Sequence, residues 1–152
     1  MRSVLQRVIS ASVTLKATGE RREIGAGLVC LIGVGPTDTE AEARWMAEKV
    51  TRLRIFEDGE GKMNRGLLEI ESGAILIVSQ FTLLGDTRKG RRPSFAGAAP
   101  PSIAIPLYET FVKAVRELGV NVQTGEFGAD MLVEIANDGP VTLLVETPIP
   151  TF

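Results

Sequence analysis

Polar side chains follow the most apolar segment of the chain, at the point where a buried strand is expected to end. Residues 74–78 are all apolar, and Ser79, Gln80 and Thr82 come shortly after them. A strand end holds such groups rigidly, so hydroxyl, amide and main-chain N–H groups there could bind a carbonyl or a ribose. Polar residues also end ordinary strands, where a hydroxyl only satisfies nearby main-chain groups, and spacing alone favours that simpler interpretation.

Histidine is missing from all 152 residues, which removes the side chain that most often acts as a base near neutral pH. A Ser-His-Asp triad, a Cys-His pair and an imidazole-ligated zinc site are therefore excluded. A nucleophilic Ser79 or Thr82 would lack its usual activating partner. The single cysteine, Cys30, stands inside the apolar stretch 28–34 and is expected to be a core residue. We expect neither a metal nor a cofactor.

A Gly139-Pro140 pair separates two strand-like stretches near the end of the chain. X-Pro bonds are cis in about 5% of folded cases, typically in tight turns, and a preceding glycine permits a sharp reversal. Such a turn could present carbonyl oxygens to a ligand as a rigid wall. A plain hairpin turn between two strands explains the same residues, and the local pattern favours it.

A dense basic run spans residues 88–92, on a chain with 17 Lys and Arg against 19 Asp and Glu. Positive charge concentrated against the net sign of the chain could bind phosphate, and Phe95 could stack on a base. The same run could be a solvated surface loop, and the sequence leaves both interpretations open. Arg7, on the first expected strand, is by itself an ordinary charged residue.

Apolar periodicity predicts a single domain, residues 1–152, with two main helices and about seven or eight strands. Strands are expected at residues 4–10, 12–17, 22–26, 28–34, 67–70, 74–78, 131–136 and 141–146. A capping-box pattern, Thr39 with Glu42, predicts the start of the first helix. The second helix should carry Pro106 in its first turn and end near Gly119.

The fold class that follows is α+β, because regular alternation of strands and helices is absent. We expect a mixed, mostly antiparallel sheet that curls toward a barrel. Neither a signal peptide nor a stretch of about 20 apolar residues is found, so a cytoplasmic location is expected. The tail, residues 147–152, should be extended.

Several stretches, in the same order along the chain, resemble the D-aminoacyl-tRNA deacylase family. The most specific are the pair Ser79-Gln80-Phe81-Thr82-Leu83 and Asn137-Asp138-Gly139-Pro140-Val141-Thr142. The other matching stretches are residues 6–8, 53–56, 61–64, 92–95 and 125–131. Together they extend to about Glu146. Residues 65–67 and the tail depart from the family pattern, and neither falls in a motif that would carry the site.

The resemblance implies a homodimeric hydrolase that cleaves the ester between a D-amino acid and the terminal adenosine of tRNA, a proofreading step in translation. In the family, a cis Gly-Pro peptide reaches from one subunit into the pocket of the other, and its carbonyl oxygens exclude L side chains. That role falls here on Gly139 and Pro140, with Arg7 bracing the turn. Glycine offers no side chain to exclude, so glycyl-tRNA, including glycine mischarged on tRNA-Ala, should also be cleaved.

The resemblance also implies the opposite wall of the pocket, formed by four catalytic candidates: Ser79, Gln80, Phe81 and Thr82. Met131 would lie near the adenosine. Phe95, which falls in the matching stretch 92–95, is a further candidate for contact with the substrate. An aminoacyl ester is already activated, so the enzyme needs mainly to position it and to stabilise the oxyanion with main-chain N–H groups. In the family, the missing base is understood to be the substrate's own ribose 2′-hydroxyl.

Three other functions are compatible with the residues alone. One is a noncatalytic tRNA-binding module that uses the basic run and Phe95. Another is a small-molecule hydrolase with Thr82 as its nucleophile, and the last is a purely structural or interaction role.

Overall fold

The computed structural model describes residues 1–148, in which two α-helices and two 3-10 turns accompany eight strands. The strands are β1 (Arg2–Leu15), β2 (Arg21–Ile24), β3 (Gly27–Gly33), β4 (Phe56–Glu57), β5 (Met63–Arg65), β6 (Ala74–Ser79), β7 (Asn121–Thr124) and β8 (Met131–Glu146). The helices are α1 (Glu40–Arg52) and α2 (Pro101–Glu117), and the 3-10 turns are Leu67–Glu69 and Phe81–Leu84.

The main sheet has six strands and is organised around β1. One edge of β1 pairs antiparallel with β3 and then with β2, while its other edge pairs antiparallel with β8 along the whole strand. From β3 the sheet continues through β6 to β7 in parallel pairings. The sheet curls toward a barrel, so the α+β prediction with a mixed, curled sheet and two main helices is confirmed.

Both faces of β3 are buried, as its apolar sequence predicts. Leu28, Cys30 and Ile32 belong to the larger core, which includes the apolar faces of α1 and α2. Val29 belongs to a second cluster inside the curl of the sheet. Burial raises the pKa of the Cys30 thiol to about 12, so this cysteine is a core residue, as expected.

The first helix begins where the sequence predicted. The Thr39 hydroxyl accepts a hydrogen bond from the Ala41 N–H (3.2 Å), and the Glu42 carboxylate accepts one from the Thr39 N–H (2.7 Å). This capping box stabilises the helix start by about 1 kcal/mol. The second helix already begins at Pro101, so Pro106 lies in its second turn and not in its first. Within residues 1–148, no helix combines the length and the apolar character that a membrane crossing requires.

Other expected boundaries were wrong. The separate strands at residues 4–10 and 12–17 form the single strand β1, because nothing at Ala11 turns the chain. The strand expected at residues 67–70 is instead the 3-10 turn Leu67–Glu69, closed by the Glu69 carboxylate accepting from the Gly66 N–H (3.1 Å). Strand β7 was not predicted. The predicted tail begins with Thr147, whose N–H donates to the Met1 carbonyl (3.0 Å), and residues 149–152 lie outside the described residues.

The hairpin turn expected around Gly139-Pro140 is also wrong. Residues before and after it pair with the same edge of β1 and run in the same direction, so the chain does not reverse. Between the pairs Gln6–Thr142 and Val8–Asn137, two steps of β1 face five steps of β8. The surplus residues leave the sheet as a bulge, which we call the 138–141 bulge. Glycine and proline therefore mark an interruption of a strand and not its end.

Gly27 packs against the neighbouring parallel strand so closely that no side chain fits. A Cβ atom at this position would lie 1.8 Å from the Ala74 carbonyl oxygen, whereas one at Gly25 would meet nothing within 4 Å. We expect Gly27→Ala to lower the free energy of unfolding by about 2–3 kcal/mol, because β3 and β6 must separate to accept the methyl group. Urea denaturation measures the change, and Gly25→Ala is the matched control. Equal stability of the two variants would contradict the tight β3–β6 contact.

Candidate active site

A cavity of about 560 Å³ opens at the carboxyl ends of the parallel strands β3 and β6. Such strand ends are the usual place for a ligand site in a sheet with parallel strands. The start of α2 and the loop at residues 127–131 complete the cavity. The sequence candidates that line it are Ser79, Gln80, Phe81, Phe95 and Met131.

The 3-10 turn that follows β6 forms one wall. The Gln80 N–H donates to the Ile32 carbonyl (2.7 Å), which fastens the start of the turn to the end of β3. The Gln80 side-chain amide donates to the Thr82 hydroxyl. Among the described residues, no acceptor pairs with the main-chain N–H groups of Phe81 and Thr82, the positions at which a 3-10 turn leaves donors free. Thr82 is exposed, and its side chain does not line the cavity.

Two aromatic rings stand at the cavity mouth. Phe81 and Phe95 meet edge to face with their ring centres 5.2 Å apart. They remain 56% and 40% exposed, although aromatic side chains gain most from burial. Across the cavity, the Met131 sulfur accepts the Glu126 N–H at 3.4 Å, which holds this side chain against its own loop. The rings are thus available for stacking on a planar ligand.

The cavity contains no histidine, and both of its titratable side chains are engaged by other groups. Its titratable groups are Tyr108 and Asp130. The Tyr108 hydroxyl donates to the Ile77 carbonyl (3.3 Å), and burial raises its pKa to about 12, so it stays protonated. The Asp130 carboxylate is exposed and lies 3.3 Å from the Lys16 ammonium group. In residues 1–148, no three side chains of the metal-binding types come together.

Arg7 and the Gly139-Pro140 pair lie together at the 138–141 bulge. The Gly139–Pro140 bond is cis, and Gly139 has a φ of 118°. The guanidinium of Arg7, only 7% exposed, donates to the carbonyls of Ile55 (2.8 Å) and Asp138 (3.3 Å). A Cβ atom on Gly139 would lie 2.9 Å from Arg7 Nη2. The arginine is therefore packed directly beneath the glycine.

The bulge and the cavity are separate places in one chain. Gly139 and Pro140 do not line the cavity. Met131, which does, is eight residues away along β8, a distance of up to about 26 Å at the rise of a strand. The structure thus brings the predicted residues together in two groups, one at the cavity and one at the bulge, with Thr82 just outside the first.

Sequence reasoning missed three contributors to the cavity: Gly33, Tyr108 and Phe127. Gly33 ends β3 beneath the 3-10 turn, where a Cβ atom would lie 2.8 Å from the Gln80 carbonyl oxygen. The glycine that closes the apolar stretch before Val34-Gly35 was a usable signal. Tyr108 and Phe127 pack together with ring centres 5.8 Å apart, and only the tertiary fold brings them to the site.

Comparison with known proteins assigns the family. A family model described as D-Tyr-tRNA(Tyr) deacylase matches residues 4–146. The chain belongs to this family. A relative from Desulfitobacterium hafniense, named D-aminoacyl-tRNA deacylase, is 56% identical over 147 residues, 97% of each chain. A relative of the same name from Thermus aquaticus is 54% identical over 149 residues, 97% of this chain and 95% of the other.

Solved structures share the fold. A protein named c-Myc DNA Unwinding Element Binding Protein is 40% identical and superposes with a TM-score of 0.90, covering 98% of this chain and all of the other. A structure described as a "probable eukaryotic D-amino acid tRNA deacylase" is 21% identical with a TM-score of 0.81, covering 95% and 97% of the two chains. At that identity, the second likeness concerns the fold alone.

Gly33 controls the position of the cavity wall. We expect Gly33→Ala to push the 3-10 turn outward, because the new methyl group would overlap the Gln80 carbonyl and the Leu84 side chain, 2.4 Å away. A displacement of about 1 Å at a site that works by positioning costs on the order of 100-fold in kcat/KM. Ester turnover by Gly33→Ala and by the control Gly35→Ala, whose nearest neighbour is the Asp38 carboxylate at 3.3 Å, measures this. Full activity of Gly33→Ala would contradict a role for the turn.

Proposed function

We propose that this protein hydrolyses the ester bond of D-aminoacyl-tRNA and releases the free D-amino acid and tRNA. The observation that carries the proposal is the 56% identity, over 97% of both chains, to a relative named D-aminoacyl-tRNA deacylase. The stretch Ser79-Gln80-Phe81-Thr82, which is specific to this resemblance, also forms or adjoins a wall of the main cavity. A noncatalytic tRNA-binding module would need none of these cavity features.

The chemistry of the cavity fits an activated ester. Water attacks the ester carbonyl, the bond to the ribose oxygen breaks, and that oxygen takes up a proton. The free N–H groups of Phe81 and Thr82 are the donors that would stabilise the oxyanion in the intermediate. Tyr108 stays protonated and the chain has no histidine. The substrate's ribose 2′-hydroxyl therefore relays the proton: it takes one from the attacking water and passes its own to the leaving ribose oxygen. The protein contributes positioning and fixed dipoles.

Chiral selection is assigned to the 138–141 bulge of a second copy of the chain. The bulge is exposed around Gly139 and Pro140, is held from below by Arg7, and does not line the cavity of its own chain. These features suit a segment that inserts into another molecule. In the resulting homodimer, main-chain carbonyl oxygens would collide with an L side chain and leave room for a D side chain. Glycine passes the same test, so glycyl-tRNA is also a substrate.

Substitution of the bulge should abolish discrimination. Gly139→Ala forces a side chain against Arg7, and Pro140→Ala removes the ring that shapes the carbonyl wall. We expect turnover of L-tyrosyl-tRNA to rise at least about tenfold, while D-tyrosyl-tRNA is still cleaved. Assays of D- and L-tyrosyl-tRNA with both variants and with the unsubstituted protein give the ratio of D-ester to L-ester turnover for each protein. Unchanged selectivity would remove the wall from the proposal, and no turnover of the D-ester by the unsubstituted protein would favour the noncatalytic alternative.

A mixing experiment separates a wall in the same chain from a wall supplied by a second chain. Gly33→Ala impairs the cavity and keeps the bulge, whereas Pro140→Ala impairs the bulge and keeps the cavity. If the wall crosses between chains, a mixed dimer contains one intact cavity facing one intact bulge, and selective D-ester turnover returns. If the wall acts within its own chain, mixing restores nothing.

Thr82 tests the rival hydrolase mechanism. Its hydroxyl accepts the Gln80 amide and contacts no base, so we expect Thr82→Ala to lower kcat about fivefold, the equivalent of one hydrogen bond of about 1 kcal/mol. A nucleophile would instead be lost with a fall on the order of 10⁶-fold. Single-turnover hydrolysis of D-tyrosyl-tRNA distinguishes the two, and Thr82→Ser serves as the conservative control.

A further inference from the structure

The basic run found in the sequence forms the tip of a closed loop. Main-chain hydrogen bonds join Asp86 and Ser94 in both directions, at 2.7 and 2.9 Å. Residues 88–92, which we call the basic loop, lie beyond this closure and are all exposed. The base of the loop is fixed to the cavity wall, because Phe95 follows Ser94 and packs on Phe81. The loop therefore projects from a rigid base.

Three cations of the basic loop are free to bind an external anion. Arg88 is already neutralised, since its guanidinium donates to both carboxylate oxygens of Asp86 at 2.9 and 2.7 Å. Within residues 1–148, the side chains of Lys89, Arg91 and Arg92 form neither an ion pair nor a hydrogen bond. These three positive charges repel one another, although the chain as a whole has a net charge of −2. An external anion would relieve that repulsion.

A second cleft, of about 580 Å³, adjoins the Phe95 ring: a Cβ atom on Gly85, which lines the cleft, would lie 3.0 Å from Phe95 Cε1. It is lined from the Leu84–Arg88 side and from the Ser94–Gly97 side, and Arg2 forms its floor. The Arg2 guanidinium donates to the Leu83 carbonyl at 2.8 Å and to the Glu146 carboxylate at 2.5 Å, so its charge is already paired. Phe95 lines the main cavity and lies next to Gly85 of this cleft, so a strand that passes Phe95 on leaving the cavity would come to the cleft. Arg92 is three residues from Phe95, so their Cα atoms are at most about 11 Å apart.

We propose that the second cleft and the basic loop bind the nucleotides that precede the terminal adenosine of the acceptor strand, with Lys89, Arg91 and Arg92 on their phosphates. This inference rests on the proposed deacylase function. Exposed aromatic rings beside a cationic track are the usual arrangement for a single-stranded nucleic acid, whose bases stack while its backbone follows the charge. A local patch of this kind offsets the repulsion between a polyanion and an acidic protein.

The test compares a long and a short substrate. The triple variant Lys89→Gln, Arg91→Gln, Arg92→Gln should show a kcat/KM on D-tyrosyl-tRNA roughly 10- to 100-fold lower at low salt, through KM. The slope of log kcat/KM against log salt concentration should become less steep by about two units. Each phosphate contact on a single strand contributes about 0.7 to this slope, and the variant loses three cations. On D-tyrosyl-adenosine, which lacks the preceding phosphates, the variant should match the unsubstituted protein.

Two control variants test whether the effect comes from the positive charge of the basic loop. Lys89→Arg, Arg91→Lys, Arg92→Lys keeps the charges and should keep the activity on tRNA. Arg44→Gln, Lys62→Gln, Lys113→Gln removes the same charge from exposed sites that line neither cleft, and should leave the salt dependence unchanged.

Each other outcome overturns the inference. An unchanged KM of the glutamine variant on tRNA would show that the loop does not bind phosphate, and an equal loss on both substrates would show that it acts through the cavity wall. Equal losses in both glutamine triples would assign the effect to net charge. If the unsubstituted protein cleaves neither substrate, the proposed function itself fails, a result distinct from the others.

Discussion

The pairing of β1 with β8 along the full length of β1 fixes the position of both parts of the candidate site. At one end, Leu15 opposite Met131 places the methionine at the cavity. Near the middle, the mismatch beside Val8 extrudes the 138–141 bulge, and Arg7 occupies the space beneath it. A one-residue change of register would turn every side chain of β8 to the opposite face. The same ladder that stabilises the fold thus sets the geometry of the site.

The proposed mechanism depends on main-chain groups more than on side-chain chemistry. Only proline substitution would remove the N–H groups at Phe81 and Thr82, and no substitution removes the carbonyls around Gly139, but all of these groups can be misplaced. The positions of these groups depend on closely packed neighbours. Gly33 leaves room for the 3-10 turn, and Arg7 packs beneath the bulge. In this mechanism, the close-packed glycines and the buried arginine around the candidate site hold the main-chain groups in place. Positioning is a property of the whole fold in this protein.

Local signals predicted the parts of the fold that local energetics decide. The Thr39–Glu42 capping box and the apolar run of β6 were found because each stabilises its own element. The Gly139-Pro140 pair by itself predicts a hairpin turn and a strand bulge equally, because these residue types favour both. Only the pairing with the partner strand distinguishes a turn from a bulge, and the residue types of the pair do not reveal that pairing. No local signal predicts strand β7, because this four-residue strand gains its stability from pairing with β6.

Local sequence signals likewise predict some residues of the candidate site, whereas others reach it only through the tertiary fold. The strand end at Ser79 marked one wall from sequence alone, but spacing could not distinguish it from an ordinary polar terminus. The family resemblance linked this wall with Met131, whereas the residues alone offered Phe95 only for stacking on a base, and all three line the cavity. Tyr108 could not be foreseen, because its ring reaches the site only after α2 has packed on the sheet.

The 138–141 bulge also has a consequence for solubility. Among the described residues, β8 pairs with β1 alone, which leaves the outer edge of a 16-residue strand open. A long open edge is a template on which foreign strands can add and from which fibrils can grow. The bulge divides that template into two short stretches, and Pro140 offers no N–H donor there. A feature proposed to sort substrates thus also protects the protein from indiscriminate aggregation.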